Sequence, residues 1–489
     1  MRFRLFLAAA TLATTALAAG PVPPPDPLAG TWTGTITPPQ GGAAEFGLEF
    51  FRTERGALAF KLNFPDMFTY AAPFPIPVED LGGGDYAITP AFAMKLHLEG
   101  DRLTGTFGAA RMPLALRRGG TFAPPPPAPQ HPPAPAPLWT FALGAGTWAP
   151  PVVADGTVYI GTRAGQFHAV NAADGRGLWT WSGAHLIDGR AVVSDGTVYF
   201  VDTQTNLIAL NRADGTLRWS VPLHDEQLAG KPVAKNPTFN HRAAYPLVVD
   251  DTLYCGSSDG GVYALDAASG RKLWRHDAGA PVFSGIGRHG ADTLCFGTMD
   301  GSVVLLDRRT QHETFRARTG GGVVTVPLVV GDQVIAGSRD YLLYGFHLAD
   351  GSVAWRFSYW FSWIESTPVL RDGLIYVGAS DYSRVSAIDP ATGRARWQTP
   401  VHGMNWGSPL VTDDAVFAGT VAQNVPGTVI AHTGGIVALD RATGAVKWRW
   451  LAAPAPANGF GGYAGTLALA GDKVIAAGFD GKLMALPAK

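Results

Sequence analysis

The dodecapeptide YALDAASGRKLW, residues 263–274, decides how the rest of the chain is read. Close variants stand at 168–179 (HAVNAADGRGLW), 208–219 (IALNRADGTLRW), 386–397 (SAIDPATGRARW) and 437–448 (VALDRATGAVKW). In each, a small residue leads a strand, a glycine sits where a hairpin needs positive φ, and a tryptophan ends the motif on the next strand. Ala264, Gly270 and Trp274 share their offsets with Ala169/Gly175/Trp179, Ala209/Gly215/Trp219, Gly345/Gly351/Trp355, Ala387/Gly393/Trp397 and Ala438/Gly444/Trp448. One unit departs, with Leu305, Gln311 and Phe315 in those places. An indole can lie flat over a neighbouring sheet only where that sheet presents a small residue. The motif is therefore packing hardware and carries no chemistry of its own.

The aromatic marks fall at Trp139, Trp179, Trp219, Trp274, Phe315, Trp355, Trp397 and Trp448, mostly 40 to 42 residues apart, with intervals of 55 and 51 as exceptions. Each unit also carries a β-branched run such as TVYIG (157–161), TVYFV (197–201), TLYCG (252–256) or LIYVG (374–378). Four short strands every ~40 residues mark a β-propeller blade. The last unit stops at Lys489 before any Trp strand, while a spare strand, PLWTFAL (137–143), precedes the first complete unit. Lending that strand to the last blade closes the ring and hides two sheet edges. The expected fold is all-β: an eight-bladed propeller of four-stranded blades over 138–489, with the N-terminal strand closing the last blade.

Over that span the Ala-x-Asp…Gly…Trp repeats resemble those of pyrroloquinoline quinone (PQQ)-like, quinoprotein-type β-propellers. The resemblance implies one of two kinds of protein. One is the quinoprotein alcohol dehydrogenase. The other, closer in type, is the non-enzymatic propeller of the outer-membrane β-barrel assembly machinery.

Upstream, residues 1–18 of MRFRLFLAAATLATTALAAG have a basic start (Arg2, Arg4), an apolar core and a small-x-small site at 16–18, which together read as a secretory signal peptide. No Cys follows that core, so no lipid-attachment box is present, and a periplasmic or secreted protein without a membrane anchor is expected. Residues 27–118 alternate apolar and polar residues between Gly and Asp turns, as expected of a small β-barrel or sandwich of unassigned role. Its Gly-x-Trp opening resembles lipocalin- and avidin-like barrels. Residues 119–137 form a proline-rich linker with polyproline II character. A formal net charge of −1 gives no field for nucleic acid, and a monomer is expected. Cys255 and Cys295 fall on second strands of neighbouring blades, which pack ~10 Å apart, too far for a bridge that needs Cα atoms within ~7 Å. Both should be free, buried thiols.

Two insertions extend one face of the ring: 219–246 between blades, with His224, Asp225, Glu226 and His241, and VAQNVPGTVIAHT (421–433) within a blade. The first four side chains could gather at a metal, although a solvated loop accounts for them as well. Asp300-Gly301 and Asp480-Gly481 read as hairpin turns rather than calcium loops. The same face should open into a funnel lined just before each inner strand by Trp148, Asp188, Ala243, Phe283, Val324, Glu365, Trp406 and Ala464, with Arg190, Arg242, Asn405 and Tyr463 beside them. These residues form either a ligand or partner funnel or a wet surface free to vary.

The quinoprotein resemblance implies calcium on Glu, Asn and Asp ligands and an Asp base beside the quinone. Glu365 and Asn405 could imitate two of the ligands, and Trp406 or Trp148 a stacking platform. No adjacent Cys pair, haem motif, third ligand or base accompanies them, and no catalytic residue is assigned. The expected function is an exported binding or scaffold protein that engages an envelope or secreted protein or peptide through the loop-extended face, without a cofactor. The alternative is a periplasmic PQQ-dependent dehydrogenase, with calcium, oxidising an alcohol or sugar.

Overall fold

The computed structural model describes residues 26–37, 42–67, 69–74, 76–88, 93–108, 111–122, 124, 131–224, 244–360, 362–424 and 432–489. Residues 1–18, and the loop that includes Asp225, Glu226, His241, Arg242 and Ala243, lie outside them.

Eight antiparallel sheets follow one another from Trp139 to Pro487. Blade 1 is typical, with strands Val152–Ala154, Thr157–Gly161, Gln166–Asn171 and Gly177–Ser182 from the axis outward. The second strands lie between neighbouring sheets and are buried on both faces, as in Thr197–Val201, where all five residues are buried. That double burial explains why they read as continuous β-branched and aromatic runs instead of alternating. Blade 8 is closed by Trp139–Ala142, whose Trp139 pairs with Ala485 and Phe141 with Leu483.

The structure refines the reason for the repeated glycine. Each tryptophan sits opposite the small residue of its own blade, as Ala264 opposite Trp274. Its ring then covers the hairpin glycine of the next blade. A β-carbon on Gly175 would lie 2.6 Å from Trp139, on Gly215 2.5 Å from Trp179, and on Gly270 2.7 Å from Trp219. Indole N–H groups complete the joint by donating to the next blade's turn: Trp139 to the Ala172 carbonyl (3.1 Å), Trp179 to Arg212 (3.0 Å) and Trp397 to Arg441 (3.0 Å). In the departing unit Gln311 itself adopts φ +61°.

The N-terminal segment forms one nine-stranded antiparallel sheet curled into a half-barrel. Its strands are β1 (Gly30–Ile36), β2 (Ala44–Arg52), β3 (Leu58–Phe64), β4 (Thr69–Phe74), β5 (Glu79–Gly82), β6 (Asp85–Ile88), β7 (Met94–Glu99), β8 (Arg102–Phe107) and β9 (Met112–Arg118), in the order β4-β3-β2-β1-β9-β8-β7-β6-β5. Trp32, Phe46, Phe60, Phe64 and Phe107 fill its concave side and are fully buried. This core continues into the propeller. Phe64 meets Trp360 edge-on with centroids 4.8 Å apart, and Asp66 lies 3.6 Å from Arg384. Trp360 belongs to the connection from blade 5 to blade 6, so the half-barrel sits on the loop face over those two blades. Residues 132–134 are held against the outer strand of blade 7: the Ala134 N–H donates to the Arg449 carbonyl (3.1 Å), and the Arg449 N–H to that of Pro132 (3.1 Å).

Candidate functional site

The funnel positions are set by a second repeated contact, which motif reading missed. The second strands end in glycine at 161, 256, 297, 337 and 378, and the residue before each funnel position of the next blade packs onto that glycine. Ile187, Val282, Val323, Ile364 and Asn405 fill the five places. The strand-end glycine of TVYIG, TLYCG and LIYVG was the available signal. After three of the five contacts the next residue, Asp188, Phe283 or Val324, lines the axis.

An axial cavity of about 190 Å³ results. Of the twelve residues read as funnel, Trp148, Asp188, Arg190, Phe283, Val324 and Ala464 line it. Glu365, Asn405, Trp406 and Tyr463 do not, and Arg242 and Ala243 lie outside the described residues. Asp188 is the unusual group: its side chain is only 1% exposed and neither carboxylate oxygen has a hydrogen-bond donor among the described residues. The nearest cation is Arg163, whose Nε stands 3.6 Å away. Burial pushes the Asp188 carboxyl up to about 6, and Arg163 offsets only part of that rise.

Trp148 and Trp406, each read as a possible stacking platform, stack on each other. Their ring centroids are 4.9 Å apart with planes at 7°. Phe460 stands edge-on to both, at 5.6 and 5.4 Å, and Phe479 to Trp148 at 5.0 Å. Part of the second insertion builds this lid. The second strand of blade 7 runs on to Gln423, and Val421–Gln423 pairs with Phe460–Gly462. Residues 425–431 of that insertion are outside the described residues.

The quinone and calcium roles do not fit these residues. The Glu365 carboxylate accepts from Arg339 at 2.5 Å, and that guanidinium lies over Trp363, 4.6 Å from its ring centroid. The Asn405 amide donates to the Gly419 carbonyl (2.6 Å), while its Oδ1 is pressed against Gly378. Asn405 thus fills a slot that Val or Ile holds at Gly161, Gly256, Gly297 and Gly337, and joins blades 6 and 7. A planar ring cannot enter between two indoles already in contact, and a cation preferring six to eight oxygens finds the Glu365 carboxylate held by Arg339 and only the buried Asn405 Oδ1 without a donor among the described residues. Among the described residues no group of three or more His, Cys, Asp or Glu could hold a metal. The His224 carbonyl accepts from the Lys272 ammonium (2.8 Å). Tyr463 is buried, with its hydroxyl against the Met484 sulfur (3.7 Å). Cys255 and Cys295 are free and buried. No helix among the described residues is long and apolar enough to cross a membrane.

Residues 132–185, 181–291, 258–360 and 359–489 match the PQQ_2 family model, described as outer membrane protein assembly factor BamB. The outer membrane protein assembly factor BamB of Bordetella pertussis is 29% identical over 204 residues, 41% of this chain and 52% of that protein. A 1-butanol dehydrogenase (quinone) of Thauera butanivorans is 33% identical over 130 residues, 24% of this chain and 20% of the enzyme. The chain thus spans about half, or less, of the length of these curated relatives. Among solved structures, BamB from Moraxella catarrhalis superposes with a TM-score of 0.54 at 18% identity, covering 72% of this chain and 97% of that one. Through these four overlapping segments, which together run from 132 to 489, the chain belongs to the PQQ_2 family of outer membrane protein assembly factor BamB.

Proposed function

We propose that the chain is an exported, monomeric scaffold that engages an envelope protein or peptide through the loop face of its propeller, with no PQQ or calcium in its working form. The family and the relatives named as assembly factors support a partner-binding role. One observation carries the reading: Trp148, Trp406 and Glu365, which could have served redox chemistry at the funnel mouth, are already engaged. Trp148 stacks on Trp406, and Glu365 is paired with Arg339. The half-barrel occupies the loop face at blades 5 and 6, and the lid occupies blade 7. Blades 1 to 4, with the first insertion between blades 2 and 3, are the sector for a partner. Loops raised on a rigid scaffold suit that role.

The test has two arms. The full chain, given PQQ and calcium, should show no dye-linked oxidation of alcohols or sugars. Used as bait in an envelope extract, it should capture a component of outer-membrane protein assembly, and lose it when residues 225–243 are deleted. Turnover abolished by Glu365→Gln would refute the scaffold reading in favour of the dehydrogenase. Capture unaffected by the deletion would refute the assigned sector.

A further inference from the structure

The axial cavity poses a separate problem of charge. Asp188 is a carboxylate with 1% of its side chain exposed and two oxygens lacking donors among the described residues. A buried carboxylate in that state costs several kcal/mol unless something donates to it. Arg163 reduces the cost without removing it, because 3.6 Å is beyond hydrogen-bond range. Two residues further on, the exposed Arg190 lines the same cavity, so residues of opposite charge border one partly open volume. The remaining wall is largely apolar and aromatic: Trp148, Phe283, Val324 and the ring of Tyr245, which lies across Gly285.

Three classes of small ligand can be compared by what each would satisfy. A plain ammonium ion would donate to Asp188 but place a third positive charge beside Arg163 and Arg190. A plain carboxylate would pair with Arg190 and leave Asp188 without donors, facing a second anion. A molecule with both groups satisfies both residues and adds no net charge. The cavity, about 190 Å³, has room for several waters and so for a small amino acid.

We propose that the axial cavity binds a small zwitterion of the α-amino acid class, its ammonium group on Asp188 and its carboxylate on Arg190. The aromatic and valine wall receives a short apolar side chain. The site is independent of partner docking on the loops, so either can fail without the other.

Calorimetric titration of the full chain with L-valine tests the site, using isobutylamine and 3-methylbutanoate as its two single-charge halves. Valine should bind at least tenfold more tightly than either half. Asp188→Asn and Arg190→Gln should each weaken valine at least tenfold, and Arg190→Lys should retain part of the affinity. Melting curves of the variants should show a folded chain, and a variant that fails to fold is replaced by the valine-against-halves comparison on the parent. Valine binding no better than its halves, no valine binding at all, or valine affinity unchanged in folded Asp188→Asn would each overturn the assignment.

Discussion

Replacing Gly215 by alanine tests the joint that holds the ring together. Gly215 has φ +74°, and a β-carbon there would stand 2.5 Å from Cε3 of Trp179. Two costs follow. An L-residue in the left-handed region loses roughly 1–2 kcal/mol. Forcing a methyl into a filled contact adds typically about 1–3 kcal/mol, because the indole must tilt. The Trp179 N–H bond to Arg212 (3.0 Å) gives the ring little freedom to do so. The expected loss is about 2–5 kcal/mol, the sum of the two, read as a fall in the urea midpoint at constant slope. Gly156→Ala supplies the control: φ is +73° and no atom lies within 4 Å of where its β-carbon would stand, so only the backbone cost of about 1–2 kcal/mol should appear. In a Trp179→Ala background, Gly215→Ala should fall to the same value, leaving a coupling energy in the double-mutant cycle. If Gly215→Ala costs no more than Gly156→Ala, the indole is not what requires glycine, and the account of the repeat is wrong.

Deleting residues 137–143 should lower the melting temperature markedly, since it removes Trp139–Ala142 and exposes an edge of the last blade; an unchanged curve would argue against this closure. Thiol titration without reductant should find two reactive groups after denaturation and almost none before, because burial pushes the Cys295 thiol up to about 12 and the Cys255 thiol further; finding no thiols after denaturation would refute the unbridged state. Asp188 is raised from 3.8 to about 6, so the folded chain holds its proton more tightly than the unfolded chain, and stability falls as pH rises through that window. Asp188→Asn should therefore match the parent below about pH 4 and exceed it by on the order of 3 kcal/mol above about pH 6, that being the shift at about 1.36 kcal/mol per pH unit. A stability difference that does not vary with pH would remove desolvation as the cause.

The sequence by itself determined the ring. Its period, its Trp and Gly offsets and its spare strand at 137–143 are local facts repeated often enough to fix blade number and closure, because each blade solves the same packing problem against its neighbour. It also placed Trp148, Asp188, Phe283, Val324 and Ala464 at equivalent positions of their repeats, and these five line the axial cavity. Tertiary structure alone decided what those positions do. Asn405 looked like a ligand beside Glu365, yet it replaces a packing Val or Ile, and Glu365 turned to Arg339 from the neighbouring blade. Trp148 and Trp406 belong to blades far apart in sequence that ring closure makes near neighbours, so their stacking could not be read along the chain. The same holds for the half-barrel: its strands were legible from alternation, but its seat on Trp360 was not. Periodicity fixes what each unit does to the next, whereas contacts that occur once depend on which unlike residues the closed ring brings together.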